Sequence, residues 1–325
     1  MRRLNISCAV LLLCIATATT AHTQIFSSVF SFDGSDGVAP FSPLTQGADG
    51  RIYGTATEGG DYNCYPEQSG CGTIFGISPK GKVTMLHVLE SNEGLTPYAG
   101  LLLGTNGLFY GTSVVGTIFT ITRAGSLTVL QSLCPQYPNC PYGDGLNGLI
   151  QASDGNLYGT AYYGGKGLRV SCSAGAQPGC GTIFKLTPGN TVSTLYDFCS
   201  QESCTDGSNP ITNLVEGNDG YLYGVTTLGG TNCYPDGCGT VFKISFDGTL
   251  VTLHSFSGND GNSPIGSLTQ GQDGNFYGTT AYGGNGDCGY MGSGCGTIFK
   301  ISPSGVFSDS LHLLSPGELF RRKLP

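Results

Sequence analysis

Hydrophobic and polar residues alternate in short runs along most of this chain, and no stretch holds a helical period over a dozen residues. The runs come in sets of four. In the last complete set they read "GSLTQGQ" from Gly266, "FYGTTAY" from Phe276 and "GTIFKIS" from Gly296. The fourth member is clearest one set earlier, as "LVTLHSF" from Leu250. Each is four to seven residues long with period-two alternation and is bounded by turn residues, the pattern of half-buried β-strands. We call them strands A, B, C and D. The A–B turn carries Asp-Gly or Asn-Gly near Asp49, Asn106, Asp154, Asp219 and Asp273, where Gly supplies the positive φ of a tight hairpin. The C–D connections read "SPKG", "TPGN", "SFDG" and "SPSG". In the second set only "SVV" separates B from C, so those two strands are adjacent and antiparallel.

Strand B identifies the repeat. "NFYGTTAYGG" from Asn275 has near copies in "RIYGTATEGG" from Arg51, "LFYGTSVVG" from Leu108, "NLYGTAYYGG" from Asn156 and "YLYGVTTLGG" from Tyr221. Four antiparallel strands repeated five times predict an all-β fold, a β-propeller of five four-stranded blades. A β-solenoid is the alternative, but its coils are usually shorter and lack hairpin turns. A single blade cannot bury both faces, so each must offer its neighbour the same surface. The strand B Tyr and the strand C Ile-Phe are expected to fill that seam. D-type runs number six against five A–B–C sets: "SVFSF" from Ser28, "MLHVL", "VLQSL", "TLYDF", "TLHSF" and a degraded "SLHLL" from Ser310. The N-terminal run is expected to complete blade five and close the ring. Residues 24–305 are then the propeller and 306–325 an ill-fitting tail.

These residues, "GTVFKIS" through "LVTLHSF" to "DGNFYGTT", resemble bacterial choice-of-anchor tandem repeat proteins of the GloVer type, over roughly residues 26–305. The resemblance implies an exported, usually surface-associated repeat protein. It carries over no catalytic residues. Longer members often end in an anchoring segment, and none is read in this sequence.

Composition narrows the function. Charged residues make up 11%, and the formal net charge is −8. An acidic chain without basic clusters argues against nucleic acid or anionic lipid as partner. "MRRLNISCAVLLLCIATATTA" has two arginines, an apolar run and small residues, which reads as a signal peptide over residues 1–23 and a secreted or cell-surface protein. That apolar run is too short for a membrane anchor. Of 14 cysteines, Cys8 and Cys14 fall in the leader. The others form close pairs: Cys64/Cys71, Cys134/Cys140, Cys172/Cys180, Cys199/Cys204, Cys233/Cys238 and Cys288/Cys295. Even numbers in an exported chain read as disulfides, and metal thiolate spacing is missing.

All six pairs fall in B–C or D–A connections, which emerge on one face of a propeller. Stapled loops on a rigid scaffold suit binding, and they equally suit protection from proteolysis. The candidate ligand-binding residues are Tyr62, Tyr65, Tyr163, Tyr234, Tyr282 and Tyr290, with Asp61, Asp236 and Asp287 beside them. Tyrosines among carboxylates suit a glycan or a protein partner. On strand A, Gln46, Gln151, Glu216 and Gln270 share one repeated position and suggest a polar ring near the channel; Glu216 breaks the repeat. Asp36, Glu93, Asp206 and Asp260 recur before strand A, but one carboxylate per loop is thin for calcium. His87 and His254 share a position with Tyr196 and Gln131, which marks it as structural. No catalytic constellation, metal site or cofactor motif is read. A recognition module is therefore the leading expectation, with a structural surface protein and a glycan-active hydrolase or lyase as alternatives.

Overall fold

The computed structural model describes residues 26–64, 69–135, 140, 142–166, 179–233, 235–284 and 294–312. The chain divides into two compact units, Met1–Ser31 and Phe32–Pro325. In the first, the described residues 26–31 carry no strand. In the second, five antiparallel sheets follow one another in sequence order.

Blade one comprises Thr45–Gln46 (β1), Ile52–Ala56 (β2), Thr73–Ile77 (β3) and Val83–Val88 (β4). Blade two comprises Leu102–Leu103 (β5), Phe109–Thr112 (β6), Thr117–Ile121 (β7) and Leu127–Ser132 (β8). Blade three comprises Asp144–Gln151 (β9), Leu157–Tyr163 (β10), Thr182–Leu186 (β11) and Val192–Asp197 (β12). Blade four comprises Val215–Glu216 (β13), Leu222–Thr226 (β14), Thr240–Ile244 (β15) and Leu250–Ser255 (β16). Blade five comprises Asn262–Pro264 (β17), Thr269–Gln270 (β18), Phe276–Tyr282 (β19), Thr297–Ile301 (β20) and Phe307–His312 (β21).

The five blades are those the repeat predicts, four-stranded except that strand A of blade five is split into β17 and β18, both paired with β19. The strand that completes blade five is not the one expected. It is β21, paired with β20 from Ile301↔Phe307 to Thr297↔His312, rather than the N-terminal run. Local connectivity decides this: "SPSG" makes a tight hairpin directly into β21, so the near strand wins over one that must return from the other end of the chain. The first residues of the expected tail are therefore strand. The remaining tail residues, 313–325, lie outside the described residues.

The recurrent Tyr-Gly has a steric reason. Gly224 pairs across the ladder with Phe242, and a Cβ on Gly224 would sit 2.6 Å from the Phe242 ring. The strand C Phe lies over the strand B Gly, and only glycine leaves it room. The C–D pair has a bulge at the same place in all five blades, between Ile74 and Phe75 in blade one and at the equivalent positions elsewhere. A bulge re-aims one side chain. Here it skips Leu86, Leu130, Leu195 and Leu253, and all four pack against the seam cores.

Seams join blades one to two, two to three, three to four and four to five, each with its own apolar cluster. Tyr53 packs on Phe109 at a centroid distance of 4.2 Å, and Tyr223 on Phe276 at 3.9 Å. Tyr53, Tyr158 and Tyr223 are completely buried, as are Phe109 and Phe276. Burying each such ring contributes about 2 kcal/mol. Hydroxyls lock the first three of these seams: Thr55 donates to the Ala99 carbonyl, Thr112 to Asn147 and Thr160 to Thr212.

Candidate functional site

The A–B and C–D turns lie at one end of the strands and the B–C and D–A loops at the other, because strand B runs from the first to the second. At the turn end the polar side chains are committed to the fold. Tyr53 donates to Asp49 at 2.8 Å, Tyr158 to Asp154 at 2.7 Å, Tyr223 to Asp219 at 2.6 Å and Tyr277 to Asp273 at 2.9 Å. In blade two Asn106 donates to the Tyr110 hydroxyl instead. Burial first, and then the adjacent carboxylate, pushes the Tyr158 and Tyr223 phenols well above their usual range.

Three of the four members of the suggested polar ring on strand A are clasps between blades, and Gln46 has no partner among the described residues. The Gln151 side-chain oxygen accepts from the Thr105 amide of the preceding blade, Glu216 from the amide and hydroxyl of Ser153, and Gln270 from the Asn218 amide. Glu216 is thus spent at the turn end. It does not join the loop tyrosines, and its departure from Gln adds a second bond to a serine rather than a free acid. A cleft of about 340 Å³ at this end is lined by Thr105, Asn106, Tyr110 and Gln151 among others, and these groups are already bonded to one another or to the backbone.

The loop end is built differently. Disulfides join Cys64–Cys71, Cys134–Cys140, Cys199–Cys204 and Cys233–Cys238. Cys180 and Cys295 are disulfide-bonded too, while Cys172 and Cys288 lie outside the described residues. Every described pair sits in a B–C or D–A connection, as the sequence predicts. Pegs hold the D–A loops: His87 meets Glu93 at 2.7 Å, His254 meets Asp260 at 2.9 Å, and Tyr196 donates to Asp206 at 2.9 Å. Each acid also accepts its own loop's backbone, from Glu90, Ser257 and Ser200 respectively. That accounts for the recurrent acid before strand A and for the tolerance of His or Tyr opposite it. Burial pushes the Tyr196 phenol to about 12 and, partly offset by Asp260, lowers the His254 imidazole.

Two stapled loops meet at blade four, the D–A loop entering it and its own B–C loop. Between them lies a cleft of about 390 Å³, lined by Ser203, Thr205, Ser208, Asn232 and Asp236, with Gly229 and Gly230 at its base. Nine described non-glycine residues have positive φ, and Cys199, Ser203, Cys204 and Cys233 in these two loops are four of them. Backbone strain of this kind persists only where the surroundings over-determine it, and here the staples do so. The Gly-Gly after strand B and the Gly-Cys-Gly before strand C form the neck of the loop. A side chain on Gly237 would collide with the Gly229 carbonyl. Cys180, Cys199 and Cys204 place their sulfurs within 4.8 Å of one another, but all three are disulfide-bonded, so none is a thiolate ligand.

Of the expected site residues that are described, Asp236 alone lines this cleft, exposed and with no side-chain partner among the described residues. Asp61 caps its own loop through Asn63. Tyr62 donates to the Gly34 carbonyl, Tyr163 stands edge-on to Tyr162, and Tyr282 is exposed in blade five. These tyrosines are spread over blades one, three and five instead of converging. Tyr65, Tyr234, Tyr290 and Asp287 lie outside the described residues. The hydroxyls Ser203, Thr205 and Ser208 were missed in favour of aromatics. Their signal was the closeness in sequence of two cysteine pairs on either side of one strand A–B hairpin.

Five radially repeated sheets with committed turns and stapled loops define a β-propeller repeat protein. The chain belongs to the Gloeobacter/Verrucomicrobia repeat family, whose model matches residues 14–170 and again 116–318. No curated protein matches it. Among solved structures it is similar to XC5397 from Xanthomonas campestris, described as a gluconolactonase, with 15% identity, a TM-score of 0.50, and coverage of 86% of this chain and 78% of that one. It is also similar to the extracellular domain of the putative hybrid two component system BT3049 from B. thetaiotaomicron, with 13% identity, a TM-score of 0.50, and coverage of 84% and 30%. At these identities the likeness shows the fold alone.

Proposed function

We propose that this chain is an exported recognition module that binds a polyhydroxylated ligand, a glycan residue, in the stapled cleft of blade four. The observation that carries the reading is the cleft itself. Two disulfide-tied, strained loops hold hydroxyl, amide and carboxylate groups around a volume at the small end of ligand pockets, about 300–1,000 Å³. Such groups exchange hydrogen bonds with sugar hydroxyls. Staples that fix the loops beforehand lower the ordering cost of binding. Disulfides in this number fit an oxidising compartment outside the cytoplasm. The pegging acids of the D–A loops are bonded to their own loops, which favours binding over hydrolysis.

The test is a glycan-array screen of the oxidised protein, followed by calorimetry on any hit with Asp236→Asn and Asn232→Ala. Selective binding that weakens roughly tenfold in either variant, about 1.4 kcal/mol, supports the reading. Binding indifferent to both variants moves the site elsewhere. Release of acid from an aldonolactone, suggested only by the gluconolactonase neighbour, would replace recognition with hydrolysis.

A further inference from the structure

The four seams share most of one code, with a strand A clasp at three of them and a strand B threonine lock at three, and the two outermost blade faces carry its elements without a partner. On the face that looks back toward a preceding blade, Leu214 is 1% exposed and Phe276 is fully buried, yet their blade-one equivalents Leu44 and Ile52 are 53% and 37% exposed. Gln46 occupies the clasp position of Gln151 and Gln270 but is exposed and has no partner among the described residues. On the forward face of blade five, Thr279 is exposed and has no partner among the described residues, where Thr55, Thr112 and Thr160 are buried and reach the next blade. Ile298 is half-buried where Ile74, Ile118 and Ile183 are fully buried.

Two further features show that blade one is shaped to follow another blade. Phe32 lies edge-on to Phe75 at 5.2 Å and 62°; Phe198 lies on Phe242 at 5.3 Å and 63°, and Phe256 on Phe299 at 5.2 Å and 66°. Phe198 and Phe256 each follow the strand D of the preceding blade, so Phe32 stands where the end of such a strand belongs. Ala39 holds φ 54°, matching Thr96 at 57°, Asn209 at 56° and Ser263 at 54°. Those three donate their amides to the carbonyls of Cys71, Cys180 and Cys238 in the preceding blade. Ala39 keeps the same strained backbone with no such bond among the described residues. A left-handed conformation is unfavourable for a non-glycine residue, so it marks a seam conformation set before its partner arrives.

We infer that the end faces of blades one and five are a docking site for one further A–B–C strand set of this same repeat, carried by a partner polypeptide. It needs only three strands, because Phe32 already marks the end of its strand D. The partner is identified by the code: a strand B Tyr-Gly-Thr that packs on Ile52 and Leu44, a tight A–B turn whose amide Gln46 accepts, and a strand A Leu that covers Ile298. This face is distinct from the blade-four cleft and stands whether or not that cleft binds sugar.

The test uses the full chain and, as probe, an oxidised synthetic segment with the sequence of residues 256–302, which holds a D–A connection and one A–B–C set. Saturable one-to-one binding is expected, with carbene labelling of Leu44 and Ile52 falling several-fold. Ile52→Glu, an exposed change that leaves the melting temperature unaltered, should abolish both. Absence of binding to folded protein whose Leu44 and Ile52 label freely overturns the proposal. So does protection of these residues in the free monomer, which would mean that blades one and five close on each other. Protection that appears only with doubling of mass at high concentration would make a second copy the occupant and equally overturn it.

Discussion

The two ends of the strands treat their polar residues in opposite ways. At the turn end nearly every acid, amide and phenol is matched: Asp with Tyr in four blades, and Gln or Glu with the neighbouring turn at three seams. At the loop end the backbone is held by disulfides and pegs, and polar groups such as Asp236 are left facing solvent. A group bonded to its own scaffold has little left for a ligand, whereas a group held on a braced loop does. Repetition therefore marks what holds the blades together, and unbonded polar groups such as Asp236 lie in the loops that differ from blade to blade.

Four changes would break or sharpen that contrast. The largest effect belongs to the repeated body. Gly224→Val forces a branched side chain into the Phe242 ring and should cost about 3 kcal/mol or prevent folding, read as a collapse of the melting temperature. Next comes the loop end. Cys199→Ala with Cys204→Ala removes a staple separated by 5 residues, for which chain entropy predicts at most about 2 kcal/mol. It should leave the strand spectrum intact while weakening ligand binding; a loss of strand signal would show that the staples support the blades as well.

The pH response tests burial at both ends. An unfolded phenol ionises near 10.0, but in the fold Tyr158 and Tyr223 ionise later and Tyr196 at about 12. Above pH 10 the folded chain then holds more protons than the unfolded one, so stability falls as pH rises through the raised values. Absorbance at 295 nm should show these phenols ionising together with unfolding; a single reversible titration at the ordinary value would refute the burial account. His254 has the opposite sense. Its lowered value means the unfolded chain takes up the proton first, so stability declines as pH falls below about 6.5. His254→Gln should flatten the acid limb of a melting-temperature profile. The smallest effect is expected from Lys300→Ala, whose ion pair with Asp273 at 2.9 Å is exposed and screened by solvent. A clear destabilisation there would show that the turn end relies on charge more than its packing suggests.

The sequence alone determined the blade. Period-two runs, Asp-Gly turns and five copies of Tyr-Gly set strand order and hairpins, because those choices are local and steric. It also placed the staples on one face, since strand topology dictates where each loop emerges. Tertiary structure decided which strand completes blade five: both candidates match the D pattern, and only hairpin geometry separates them. It decided the fate of Glu216, whose role depends on Ser153 in another blade, far away in sequence. It decided that the described loop tyrosines, Tyr62, Tyr163 and Tyr282, stay apart while serine, threonine and asparagine converge at blade four. Convergence is a matter of which loops become neighbours in space, and a repeat pattern that reads alike in every blade cannot say which of its copies will hold a cleft.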